Sequence, residues 1–463
     1  MSRPPLRSLL FWPHLVSGVL AGLVIAVMSL TGVALAFAPQ LLARADRQAR
    51  EVAAPAPGAQ RLPVDALVAR AKAERPGMQV SGVTLYPDAT SAVLVSSGRT
   101  EGVYVNPYTG ALQPLGAEGL RATLHTLEEW HRYLGAGGES RAVGKAVTGA
   151  SNALFLFLAL SGLYLWWPRR WSRAALRSTL WFRGGLRGKA RDFNWHNTLG
   201  FWMLPVLVVL TASGVVMSYR WASNLVFTLA GSPVPAAGGP GAAPAVPVHA
   251  PPPGTQLLAL DAAFARAARE VPAWESVTLR LGGAPQAPRP EGGGERGASA
   301  GSERSAPGER ADAARSADAP RGEGTERRAG AEPRGGEPRP GASGRGPQAL
   351  TFSVRERDAW PRFSSVQLSL DPFTGAVLKR EGYADGTAGR RARTWLRFLH
   401  TGEALGLPGQ LLAALASLGA AFLVWTGLAL AWRRFFPRRR AAGAAASAAA
   451  PSADSSDSRS SAA

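Results

Sequence analysis

The residues whose types and spacing could do chemistry form a duplicated ruler. His14, Gly18 and Thr31-Gly32 recur at identical spacing as His196, Gly200 and Ser213-Gly214. In both copies eighteen residues separate the His from the distal Gly. On a helix that is about five turns and about 27 Å, so ligand and bare backbone share one face near opposite ends of a membrane crossing. Glycine one turn beyond each His clears the same face and leaves room beside the imidazole for something flat, such as a porphyrin. Two neutral imidazoles facing each other across such a ring would ligate its iron, provided their other nitrogens are hydrogen-bonded. His14 and His196 are one candidate pair, and His131 and His400 the second.

These ligands need membrane helices to hold them. Apolar residues concentrate in four runs, near 13–38, 143–167, 197–218 and 409–432, each long enough to span about 30 Å of hydrocarbon. Trp12, Trp130, Trp166, Trp167, Trp195 and Trp432 sit at their ends, as in an interfacial aromatic belt. Arg169, Arg170, Arg173, Arg177, Arg183, Arg187, Lys189 and Arg191 lie between the second and third runs, and Arg433, Arg434, Arg438, Arg439 and Arg440 follow the fourth. Both segments are therefore expected to be cytoplasmic, with both termini inside. Ala34-Leu35-Ala36 resembles a signal-peptide cleavage site, but the His and Gly positions of the first run match an internal helix.

The chain has no cysteine, which excludes thiolate-held clusters, thioether-attached haem and disulfides. The net charge of +20 comes mostly from Arg beside the apolar runs and in a low-complexity stretch, so it signals topology and not nucleic-acid binding.

The repeat continues between the helices. Asp65 and Asp261 each open an Ala-rich run closed by Pro76 or Pro272, which predicts a short helix capped by its own Asp. Val80–Val95 and Val277–Leu281 read as strands. Asn106-Pro107-Tyr108-Thr109-Gly110 and Asp371-Pro372-Phe373-Thr374-Gly375 read as matching hairpin turns. The second copy is longer by the Gly/Pro/Arg/Glu-rich stretch 283–349, expected to be a disordered insertion, and 441–463 has a similar character.

The predicted fold is thus α-helical and membrane-embedded, four transmembrane helices as a duplicated two-helix unit with two small α+β extracytoplasmic domains. The expected order is an N-terminal segment and first helix, 1–38; first small domain, 39–120; His segment and second helix, 121–167; basic cytoplasmic loop, 168–194; third helix, 195–220. The second small domain with its insertion, 221–390, the His segment and fourth helix, 391–434, and a disordered cytoplasmic tail, 435–463, complete it.

With these elements the chain resembles the PepSY-associated transmembrane family, which includes iron-regulated membrane proteins and ferric-siderophore reductases. The likeness rests on Trp12-Pro13-His14; on Trp130-His131-Arg132-Tyr133-Leu134 with Ser161-Gly162 through Arg170; on Trp195-His196 with Ser213-Gly214; and on Leu399-His400-Thr401-Gly402 with Thr426-Gly427-Leu428 and Trp432-Arg433-Arg434. The two Asx-Pro-aromatic-Thr-Gly turns match PepSY domains. The resemblance implies b-type haem in the membrane and electron transfer to an extracytoplasmic ferric chelate; the two histidine pairs make two haems the expectation, and the expected location is a bacterial inner membrane. No flavin or nicotinamide motif occurs in the cytoplasmic segments, so the donor is left open, cytoplasmic or quinol.

Gly18, Gly32, Gly162, Gly200, Gly214 and Gly427 are expected to pack against haem, with close helix packing the other explanation. His125 competes with His131 as a ligand, and His249 has no repeat mate. Arg132, Arg141, Arg220 and Arg397 could pair with propionates or anchor at the membrane surface. A non-enzymatic protein that binds peptides or regulates an envelope protease is the alternative function. A transporter comes third, lacking the inverted repeats and broken helices of many carriers.

Overall fold

The computed structural model describes residues 6–98, 100–167, 172–235, 246–249, 251–252, 254–281 and 347–436. The expected insertion lies outside them up to residue 346. So do the tail beyond Phe436 and Arg169, Arg170, Arg438, Arg439 and Arg440 of the basic flanks.

The first half runs through α1 (Leu6–Leu35), α2 (Ala38–Ala45), α3 (Arg47–Arg50), α4 (Val64–Glu74), β1 (Gly82–Leu85), β2 (Val93–Ser97), β3 (Glu101–Val105), β4 (Leu112–Pro114), α5 (Glu118–Tyr133) and α6 (Ser140–Trp166). After α7 (Arg173–Leu180) the second half follows with α8 (Gly188–Ser218), α9 (Arg220–Leu229), α10 (Leu260–Arg269), β5 (Trp274–Arg280), β6 (Leu350–Glu356), β7 (Val366–Leu370), β8 (Val377–Glu381), α11 (Ala388–Thr401) and α12 (Leu407–Phe435).

Among the described residues four helices, α1, α6, α8 and α12, are long and apolar enough to cross a membrane. They form a ring in which α1 and α8 each pack on both α6 and α12. Large apolar side chains such as Leu20, Leu23 and Leu160 are exposed on the outside, while Ser17, Ser29, Thr148, Ser161, Thr211 and Thr426 are buried inside. That inversion is the membrane pattern: lipid is as good a solvent for Leu as another helix, so small and hydroxyl-bearing residues mark the contacts between helices. Each hydroxyl can bond to its own helix one turn back, as Thr211 does to the Leu207 carbonyl at 2.7 Å.

All the strands lie at one end of this bundle, in a single antiparallel sheet of order β4-β3-β2-β1-β5-β6-β7-β8. The sequence divides this region into two small domains; the structure joins their strands at β1 and β5, with Val83 opposite Leu279. Pairing removes what would otherwise be two exposed edges. One core serves both halves, with Leu67 and Ala71 of α4 and Phe264 and Ala267 of α10 packed over Val83, Val95, Leu279 and Phe352.

The capping expectation needs correction. Neither Asp65 nor Asp261 caps its own helix: the N-cap positions are Pro63 and Ala259. Instead the Leu260 N–H donates to Asp65 and the Val64 N–H donates to Asp261, each at 2.9 Å. Each acidic side chain satisfies an orphan donor of the other half's helix, because the joined sheet brings the two N-termini together. The two hairpin turns match closely. Asn106 Oδ1 accepts from the Tyr108 and Thr109 amides, Asp371 Oδ1 accepts from those of Phe373 and Thr374, and Gly110 and Gly375 take φ of +72° and +70°. Those two amide bonds hold the Asp371 carboxyl below its usual range.

Candidate functional site

His14 on α1 and His196 on α8 line one cavity of about 510 Å³ between the four long helices, toward the end away from the sheet. This size suits a buried organic ligand. Its walls are mainly apolar, with Ile25, Phe155, Leu158, Leu207 and Leu423 among them, and Gly18, Gly200, Gly162 and Gly427 also line it. At the sheet end, His131 on α5 and His400 on α11 face each other with ring centroids 6.3 Å apart and planes at 67°. Burial pushes both of these imidazoles below their ordinary pKa, and the neighbouring His400 charge adds to the effect at His131. Both are thereby held neutral, the form that ligates metals.

Every one of the four imidazoles is held in the same way. The Nδ1 of His14 bonds to Ser161 at 2.8 Å, that of His196 to Thr426 at 3.0 Å, that of His131 to Thr31 at 3.0 Å, and that of His400 to Ser213 at 3.1 Å. The four hydroxyls in turn donate to carbonyls of their own helices, Phe157, Phe422, Val27 and Val209. A hydroxyl whose proton is so engaged accepts, so the imidazoles carry their protons on Nδ1. At His400 the Leu210 carbonyl, 2.9 Å from Nδ1, requires the same tautomer. Nε2 is left in each ring as the nitrogen with a free lone pair.

The glycine after three of the hydroxyls lies beside an imidazole. A Cβ built on Gly162 would lie 3.4 Å from Cε1 of His14, one on Gly427 would lie 3.4 Å from Cε1 of His196, and one on Gly32 would lie 3.5 Å from Cε1 of His131. In these three dipeptides the hydroxyl holds the ring and the glycine lies against it, at a distance where a Cβ would make an ordinary van der Waals contact. Gly214 differs, because the amide of Asn152 fills its place. Gly18 and Gly200 face Leu158 and Leu423 across the cavity wall. The eighteen-residue ruler therefore joins two different sites: His14 serves the cavity, while Thr31-Gly32 on the same helix seats His131.

Sequence reasoning missed Gly144 and Gly409. A Cβ on Gly144 would overlap the Tyr133 carbonyl, and one on Gly409 would overlap the Gly402 carbonyl. These glycines let α6 and α12 start against the ends of the helices that carry His131 and His400. Their signal was available, a glycine shortly after each His segment in both copies.

His125 is exposed on α5 and His249 is exposed as well. Arg132 and Arg141 pair with Glu128 and Glu129 at 2.8 and 3.0 Å. Arg397 lies over the Phe398 ring, 5.4 Å from its centroid.

The donor sets can be tested for what they fit. Among the described residues no group of three or more His, Asp or Glu could hold a metal ion. Each pair thus offers two imidazoles and no further protein ligand, which suits an iron whose other positions a macrocycle fills. A metal–imidazole bond is about 2 Å, so two rings sharing one ion have centres about 6 Å apart. The spacing of His131 and His400 agrees with this. A family model described as the PepSY-associated TM region matches residues 11–434. No curated protein matches the chain.

Proposed function

The chain belongs to the PepSY-associated TM family; from that premise and the two histidine pairs we propose an inner-membrane haem b protein that delivers electrons to ferric chelates, ferric siderophores among them. The observation that carries this reading is the shared seat of the four imidazoles, with a hydroxyl on every Nδ1 and a free Nε2 in every ring. A haem held by such a pair supplies one-electron exchange at its iron.

His14 and His196 would hold one haem and His131 and His400 the other. Ser161, Thr426, Thr31 and Ser213 fix the ligand tautomers and orientations. The apolar wall of the cavity lined by His14 and His196 would exclude water from a haem held there. The two pairs lie at different depths of one bundle, so they span the hydrocarbon layer stepwise. The basic residues Arg183, Arg187, Lys189, Arg433 and Arg434 lie at the end away from the sheet and support a cytoplasmic assignment for that end and for both termini. The sheet is then extracytoplasmic, with its two halves read as PepSY-like copies of a duplicated unit, and it lies over the His131 and His400 end where a ferric chelate would arrive. The electron donor would meet the cytoplasmic end, as a protein or a membrane quinol.

A reduced-minus-oxidised visible spectrum of the purified full-length protein, expressed with ample haem, tests the proposal. The expected result is low-spin, non-covalent b-type haem at about two per chain. Haem at background level would remove the proposal and leave the peptide-binding alternative.

A further inference from the structure

The cavity that contains His14 and His196 is apolar along most of its wall and changes character at one end. Lys189 at the start of α8, Trp166 at the end of α6 and Arg434 near the end of α12 line it there. Three other cations at this end, Arg191, Arg433 and Arg7, are already engaged. Asp192, wholly buried, accepts from Arg191 at 2.9 Å and pairs with Arg433, while Arg7 donates to the Trp167 carbonyl. Lys189 and Arg434 have no carboxylate partner among the described residues, and Arg434 lies over the rings of Phe11 and Trp12 at 4.8 and 5.0 Å.

Two features of this end call for an anion. Lys189 sits in the first turn of α8, where the helix already presents its positive end, so the helix itself does not stabilise a cation there. The Trp166 indole N–H is buried and has no hydrogen-bond partner among the described residues. Its ring is fixed in a stack on Phe201, with centroids 4.5 Å apart and planes at 23°. A buried donor without an acceptor is costly, and a ligand acceptor would satisfy it.

We propose that Lys189, Arg434 and the Trp166 N–H form a carboxylate clamp, which takes the acid edge of the haem held by His14 and His196 and turns that edge away from the sheet. The proposal rests on the haem reading and adds what fixes the ligand's orientation. An apolar cavity wall alone would leave a flat ligand free to turn about the axis between the two imidazoles. Charge-assisted bonds at one end give it a single orientation.

The test loads full-length protein in parallel with iron protoporphyrin IX and with its dimethyl ester, which has the same ring without the charges. Retention at this site is read as the spectral component lost in His196→Ala. Wild type should retain the free acid roughly tenfold or more over the ester, given that charge-assisted bonds are the strong class. Lys189→Gln combined with Arg434→Gln should bring that preference close to one, and either change alone should give an intermediate value. Equal retention of both forms by wild type, or an undiminished preference in the double variant, overturns the clamp and leaves the haem reading in place. A double variant that retains neither form passes the decision to the single variants, where an undiminished preference in both overturns the clamp. Absence of any His196-dependent spectrum with either form overturns both.

Discussion

At the scale of single residues, the hydroxyl behind each imidazole decides which nitrogen can reach a metal. Thr426→Val keeps nearly the same shape but removes the hydroxyl that accepts from His196 Nδ1–H and leaves the ring only the neighbouring Leu423 carbonyl, a loss of about 1 kcal/mol. Haem retention at the His14 and His196 site should fall about 10–100-fold, the range for losing a group that orients a metal-ligating His. Thr426→Ser should restore most of it, and titration of apoprotein with haem would measure both. The ligands themselves should separate by site. His196→Ala is expected to remove one haem component while the other stays reducible by a small reductant supplied on the sheet side. His400→Ala should remove the second component and abolish reduction of an external ferric chelate. Loss of the same spectral component in both variants, followed in oriented vesicles, would contradict two separate sites.

At the scale of elements, the helices carrying His131 and His400 are not parts of the crossing helices but separate pieces laid against them. Gly144 and Gly409 permit that contact, since a Cβ at either would overlap backbone. Gly144→Ala should therefore displace α5 and reduce the His131-dependent haem signal while leaving the His14-dependent one, and visible spectra of the purified variant would show it. The reciprocal caps join the two halves of the sheet. Asp65→Ala and Asp261→Ala should each destabilise the protein by about 1 kcal/mol, the usual loss for a helix-capping side chain. The distinctive expectation is where the damage falls: Asp65→Ala should increase amide hydrogen exchange at the start of α10, and Asp261→Ala at the start of α4.

At the scale of the whole molecule, the second half differs from the first in what lies between β5 and β6. These strands pair directly, with Arg280 opposite Thr351, so the chain leaves and re-enters the sheet at neighbouring points. Replacing 285–347 with a short Gly-containing turn should leave thermal stability and haem content nearly unchanged, because closure entropy depends weakly on loop length. Loss of membrane insertion or haem on excision would show that the stretch helps to build the fold. The sequence by itself determined the four crossing helices, the two Asx-Pro-aromatic-Thr-Gly turns and the four histidines as candidates. Such features are written in local composition and periodicity, and the duplication doubled each signal. Tertiary structure decided the rest. The Ser/Thr-Gly dipeptides seat histidines from neighbouring helices, the acidic residues cap helices of the opposite half, and two sets of strands close into one sheet. These contacts join residues a hundred or more positions apart, and a repeat in sequence says which residues are equivalent without saying which equivalents meet. That choice depends on how the helices pack and which strand edges find each other, and both are settled only when the chain is assembled.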